Sequence, residues 1–117
     1  MVKVAQSFLA GNVVCVIADG RLDAATVPTF EQALQKLLTE GQARLVMDLS
    51  AVNYLSSSGL RVLLTTRRQA RARGGDVFLC NLHPHVREIL EMVGFIAVFG
   101  VYATSEEAAA AFPQPAA

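Results

Sequence analysis

Three times along this 117-residue chain an apolar helical repeat runs into a glycine, and a short β-rich run follows. Phe30, Ala33, Leu34, Leu37 and Leu38 recur at helical spacing and stop at Gly41, after which comes Leu45-Val46-Met47 with Leu49. Leu60, Leu63 and Leu64 share a second helical face that stops at Gly74-Gly75, ahead of Val77 to Cys80. Pro84 opens a third helix carrying Val86, Ile89, Leu90 and Val93, stopped by Gly94 and followed by an apolar run from Ile96 to Tyr102. Strands alternating with helices are joined by crossovers, and crossovers are right-handed, so this order dictates a mainly parallel sheet with helices packed on it.

Both ends of the pattern add an element. Val2 to Leu9 and Asn12 to Ala18 are β-rich runs joined across Gly11-Asn12, a pair suited to positive φ in a tight turn. They predict an antiparallel hairpin, closed at Asp19-Gly20. Thr26 is a candidate N-cap for the first helix, with Pro28 in its first turn, where a missing N–H costs nothing. Thr104-Ser105-Glu106-Glu107 has the form of a capping box and predicts a last helix, broken by Pro113 and Pro115. The order is therefore β-β-α-β-α-β-α-β-α, an α/β fold with about four helices. It forms one domain over residues 1–112 and a flexible tail at 113–117, with Gln114 to Ala117 frayed.

Composition excludes several classes. At 53% hydrophobic and 17% charged the chain is unlike a disordered one, and it is long enough for a core without metal or disulfide staples. Ten basic against ten acidic residues give zero formal charge, which argues against direct binding to nucleic acid or an anionic membrane. The longest apolar run, Phe95 to Ala103, is of strand length, so no membrane span is expected. Gln6, Ser7, Gly11 and Asn12 interrupt any signal-peptide core. Cys15 and Cys80 lie in apolar runs and read as buried free thiols of a reducing cytoplasm. His83 and His85 flank Pro84 and read as a loop or cap rather than as metal ligands.

The chemistry concentrates in Asp48-Leu49-Ser50-Ala51-Val52-Asn53-Tyr54-Leu55-Ser56-Ser57-Ser58-Gly59-Leu60. Serine caps helices well, so one of the three consecutive serines is expected to do so. A single cap does not require three hydroxyls, and the segment follows the carboxyl end of a central strand, where open α/β sheets place functional groups. Arg61, Arg67, Arg68, Arg71 and Arg73 follow with no acid between them. They read as a solvated helix face, or as a docking stripe for an acidic partner with Arg61, one turn after Ser57, as its main contributor. Leu55 to Gly59 lacks the first glycine of a hydrolase nucleophile elbow, and no phosphate-binding loop of the Walker type is present.

From Gly20 to the last helix the chain resembles a STAS domain of the anti-sigma factor antagonist type. The resemblance is carried by Gly20-Arg21-Leu22-Asp23-Ala24-Ala25-Thr26-Val27-Pro28, by Leu45 to Leu64 with its Ser-Ser-Gly-Leu turn, by Gly74 to Leu82, by Pro84 with Val86, and by Met92-Val93-Gly94-Phe95. It implies a STAS-like, mixed but mainly parallel sheet opened by an antiparallel hairpin. It further implies a cytoplasmic, non-enzymatic regulator without cofactor, whose unphosphorylated form binds an anti-sigma factor that is also a serine kinase, freeing the sigma factor. A serine phosphatase is the implied resetting partner. The family's phosphoacceptor falls on Ser57, with Ser56 and Ser58 as alternatives, and the nearby aspartate falls on Asp23. Ser56, Ser58, Gly59 and Arg61 join Asp23 as the implied partner-binding surface. Many members carry aspartate directly before the acceptor, where this chain has Ser56. The competing readings are a STAS component of another signalling or lipid-transport complex, and a small serine hydrolase using Ser57 or Ser58.

Overall fold

The computed structural model describes residues 2–113, so the tail expected at Gln114–Ala117 lies outside the described residues. Pro113, the first residue assigned to that tail, is held: its carbonyl accepts from Arg44 Nη2 at 2.7 Å. The hairpin is formed by β1 (Lys3–Leu9) and β2 (Val13–Leu22), with Leu9 opposite Val13. Gly11 and Asn12 take φ of +83° and +61°, as the turn requires. There follow α1 (Val27–Thr39), β3 (Arg44–Leu55), α2 (Ser57–Ala72), β4 (Asp76–Cys80), α3 (Pro84–Met92), β5 (Gly100–Tyr102) and α4 (Ser105–Ala110).

The five strands lie side by side in chain order, β1-β2-β3-β4-β5; β1 is antiparallel to β2 and every other pairing is parallel. Right-handed crossovers between strands added always on the same side put all their helices on one face. That face carries Val14, Val16, Ala18, Leu45, Met47, Leu49, Val77 and Leu79, packed with Phe30, Leu34 and Leu38 of α1, Leu63 of α2 and Leu90 of α3. Each such aliphatic side chain contributes about 1.5–3 kcal/mol by leaving water. The opposite face is covered by the short α4, where Ala108 and Phe112 pack on Val13, Cys15, Val46 and Cys80. Both cysteines are buried there as free thiols. Burial, followed by the field of Asp48, raises the Cys15 pKa and pushes that of Cys80 up to about 12.

Several expectations need correction. The first two long strands do not end at Ala18 and Leu49: β2 runs to Leu22 and β3 to Leu55, paired as Asp19 with Ala51, Gly20 with Val52, Arg21 with Tyr54 and Leu22 with Leu55. Two register shifts, between Ile17 and Asp19 and between Gly20 and Arg21, each give β3 one extra residue. Such bulges break the two-residue alternation by which a strand is recognised. The run from Ile96 to Tyr102 is not one strand. Gly94 at φ +76° redirects the chain into a 3₁₀ turn at Phe95–Ala97, and only Gly100–Tyr102 pairs with β4.

The face of α2 is also rotated from the leucine pattern. Its buried residues are Gly59, Val62, Leu63, Thr66 and Ala70, while Leu60 and Leu64 are half-buried. Gly59 and Ala70 let this helix approach the sheet, and Gly59 and Thr66 carry no apolar signal. The helix ends as its paired glycines imply: Gly74 N–H donates to Arg71 O and Gly75 N–H to Ala70 O, satisfying two terminal carbonyls. His83 caps α3, its Nδ1 accepting from His85 N–H at 3.1 Å. The capping box of α4 is half made, since Thr104 Oγ1 accepts from Glu107 N–H but no return bond from the Glu107 carboxylate occurs among the described residues.

Candidate functional site

The extension of β2 and β3 beyond the sheet builds the site. Leu22 and Leu55 are the last paired residues, and just past them the Ser56 N–H donates to Leu22 O at 2.8 Å. That bond ties the start of α2 to the end of β2, so Asp23 and Ser57 leave from adjoining strand ends.

The three serines have different tasks. Ser56 is the N-cap: its backbone is extended, and its Oγ accepts from Gly59 N–H at 3.3 Å. It also shares a hydrogen bond of 2.9 Å with Ser58 Oγ. Both hydroxyls are therefore half-buried and engaged, whereas Ser57 is exposed and its Oγ forms no hydrogen bond among the described residues. The cap expected from the cluster is thus Ser56, and Ser57 is the hydroxyl left open to a second molecule.

Gly59 is buried under this turn. A Cβ placed on it would lie 2.7 Å from Leu55 Cδ1 and 3.3 Å from Leu22 O, so the helix can sit against the strand ends only with glycine there. Its place in the site is structural: it lets α2 start close enough for the Ser56–Leu22 bond.

Asp23 organises the facing turn. Its Oδ1 accepts from the N–H groups of Ala25 at 3.0 Å and Thr26 at 3.2 Å. Thr26 Oγ1 accepts from Asp23 N–H and donates to Arg21 O at 2.6 Å. The threonine hydroxyl therefore turns backward and does not cap α1, contrary to the expectation from its position. Partial desolvation pushes the Asp23 carboxyl upward, but the Thr26 and Ala25 amides, the Thr26 hydroxyl and the Arg21 guanidinium outweigh it and hold the pKa below the ordinary carboxylate range. Asp23 is thus ionised at neutral pH. No hydrogen bond joins it to any of the three serines among the described residues.

The arginine stretch divides in two. Arg67 Nε and Arg71 Nη1 lie 3.5 and 3.2 Å from the Asp76 carboxylate, Arg67 also sits over the Phe99 ring, and Arg73 Nη1 donates to Leu38 O. These three fasten α2 to β4 and α1, so a uniformly solvated face is not what the structure has. Arg61 and Arg68 are exposed, and on a helix they fall on the side of Ser57, four and eleven residues on.

The sequence reading assigned no role to Arg21 or Tyr54. Arg21 stacks over the Tyr54 ring at 4.3 Å and places Nε 3.7 Å from Asp23 Oδ2. An arginine and an aspartate two apart, at Arg21 and Asp23, was the available signal. The tyrosine contact depends on the bulged register and has none.

A family model described as the STAS domain matches residues 9–108. Among relatives, BtrV of Bordetella bronchiseptica, assigned as an anti-sigma factor antagonist, is 42% identical over 93 residues, 80% of each chain. The anti-sigma-B factor antagonist of Bacillus subtilis is 29% identical over 87 residues, 74% of this chain and 79% of its own. An anti-sigma factor antagonist from Mycobacterium paratuberculosis has a crystal structure that superimposes with a TM-score of 0.85 at 29% identity, covering 95% of this chain and 93% of that one. With the sheet order, the tied strand ends and the serine-capped helix described above, these matches place the chain in the STAS domain family.

Proposed function

We propose that the chain is an anti-sigma factor antagonist that works by partner switching in the cytoplasm. In its unphosphorylated form it binds an anti-sigma factor and so frees the sigma factor. That partner is also a serine kinase, and Ser57 is the acceptor. The Ser57 Oγ attacks the γ-phosphorus of the partner's nucleoside triphosphate, loses its proton, and nucleoside diphosphate leaves; a serine phosphatase later restores the hydroxyl by hydrolysis. The chain itself is a substrate and a binding surface, not a catalyst.

The observation carrying this reading is the division of labour in the serine cluster: Ser56 and Ser58 are engaged with each other and with the cap, while Ser57 is exposed and uncommitted. Phosphate there adds about −1.5 to −2 charges. It would be added to a formed helix end without breaking a hydrogen bond of the fold, so the domain survives while its surface changes. Names among the relatives support the role: the matched proteins of Bordetella and Bacillus are both described as anti-sigma factor antagonists.

The test is incubation with a co-encoded anti-sigma factor kinase and ATP, followed by peptide mass spectrometry. One phosphate on Ser57, abolished by Ser57→Ala, is expected. Incorporation that persists in Ser57→Ala and vanishes in Ser56→Ala would shift the acceptor by one residue and overturn the assignment.

A further inference from the structure

We propose that the outer edge of β1 is a docking strand for a second copy of this chain, the two copies pairing antiparallel about a two-fold axis at Gln6. The two edges of the sheet are not alike. On one side β5 has three residues, and so short an edge offers few backbone groups to another strand. On the other side β1 runs for seven residues, Lys3–Leu9, and among the described residues no strand pairs with its outer side. It lacks the features by which long edges are kept unpaired: it has no proline, no register shift against β2, and one charged residue, Lys3, at its end. Ala5, Gln6, Ser7 and Phe8 are all exposed, Phe8 to 74%.

The sequence of the strand selects the occupant. Directly opposed residues of paired strands share a face of the sheet. Val4, Gln6 and Phe8 oppose Ala18, Val16 and Val14, which belong to the helix-side core, so all three lie on that side. Val4 is packed against the core, whereas the Phe8 ring is left in water. A two-fold axis at Gln6 sets each Phe8 opposite Val4 of the second copy, an aromatic and β-branched pair on either side of the axis. It also sets Ala5 opposite Ser7 and Lys3 opposite Leu9. The two Lys3 residues then lie at opposite ends of the paired segment, about 20 Å apart along the strands, and no like charges meet. A formal net charge of zero adds no general repulsion between copies. The same patch serves both copies, so the assembly closes as a dimer. Seven residues a side fall short of the roughly 20–30 of a standard interface, so the dimer is weak and reversible.

The test is sedimentation velocity of the full chain from about 0.01 to 1 mM, the range of weak association. Dimer is expected to grow with concentration. In a mixture of isotope-labelled and unlabelled chains, nuclear magnetic resonance should show intermolecular contacts between the Phe8 ring and the Val4 methyls. Phe8→Ala should weaken dimerisation by about tenfold or more, as loss of an aromatic anchor does. Gln6→Lys and Gln6→Glu each oppose like charges across the axis, and each should be monomeric; mixed in equal amounts they should recover a dimer, because opposite charges then meet. Gln6 and Phe8 are exposed, so thermal melts of these variants at low concentration should match that of the parent. A chain that stays monomeric throughout the range overturns the inference. So does a dimer that survives Phe8→Ala and both Gln6 variants unchanged, which would place the contact elsewhere, as at the exposed Met92 and Val93. Failure of the two charged variants to recover a dimer on mixing, while the parent dimerises, overturns the two-fold register. None of these readouts involves Ser57, so they stand or fall apart from the acceptor assignment.

Discussion

Gly59 shows how much of the site rests on one missing side chain. Replacing it by alanine gains about 0.5–1 kcal/mol of helix propensity but forces a methyl against Leu55 Cδ1 and Leu22 O. Overpacking of this kind costs about 1–3 kcal/mol, and while the leucine can rotate, the carbonyl is fixed by its bond to Ser56. Gly59→Ala is therefore expected to lose about 1 kcal/mol in urea titration and to slow phosphate incorporation, because the helix start is displaced. An alanine variant as stable and as good a substrate as the parent would mean that the close approach is not what positions Ser57. At the same scale, Ser56 as the cap supplies one neutral acceptor to Gly59 N–H. No carboxylate therefore caps α2, and Asp23 is spent on its own turn and on Arg21.

Among the elements, α2 joins the core to the site. Leu63 is fully buried against the sheet, so Leu63→Ala should destabilise by about 2–5 kcal/mol. Arg67→Ala removes a half-buried ion pair with Asp76 and a ring contact with Phe99, and should cost about 0.5–1 kcal/mol. Thermal melts should rank the leucine variant well below the arginine one; the reverse order would require α2 to face the other way. The register of this helix was only partly legible in the sequence. Leucines at 60, 63 and 64 locate the correct side, but the true stripe runs through Gly59, Val62, Leu63, Thr66 and Ala70, of which Gly59 and Thr66 carry no apolar signal. Glycine stops at Gly41, Gly74 and Gly94 were readable because positive φ selects glycine strongly. The extended ends of β2 and β3 were not, because two bulges flip the alternation just where the strands approach the serines. Asp23 and Ser57 could be named from the motif, and the Asp23 turn is local, with Ala25 and Thr26 two and three residues on; the Tyr54 contact that seats Arg21 follows from the bulged register and could not be read.

For the whole molecule the proposed switch poses the question whether phosphate on Ser57 would repel the partner by charge or by bulk. Asp at position 57 brings one negative charge where phosphate brings about 1.5–2, while Gln brings size without charge. If charge dominates, Ser57→Asp should weaken binding to the anti-sigma factor partly and Ser57→Gln little. The Asp penalty should then relax as the Debye length falls from about 10 Å at 0.1 M salt to about 3 Å at 1 M. Calorimetric titration decides it, and equal, salt-independent losses for the two variants would sink the charge account. The order of the strands carries a consequence of another kind. Because β1 to β5 lie in the sheet as they lie in the chain, every strand pairs with one already made, and no early strand waits for a late one to fill a gap beside it. Such a sheet can grow by one edge as the polypeptide leaves the ribosome, with short loops to close at each step. The strand ends and helix start that carry Ser57 come from β2, β3 and α2, which are synthesised before β4, β5 and α4. A nascent chain could thus join the strand ends that carry Ser57 while the far edge of the sheet is still being translated.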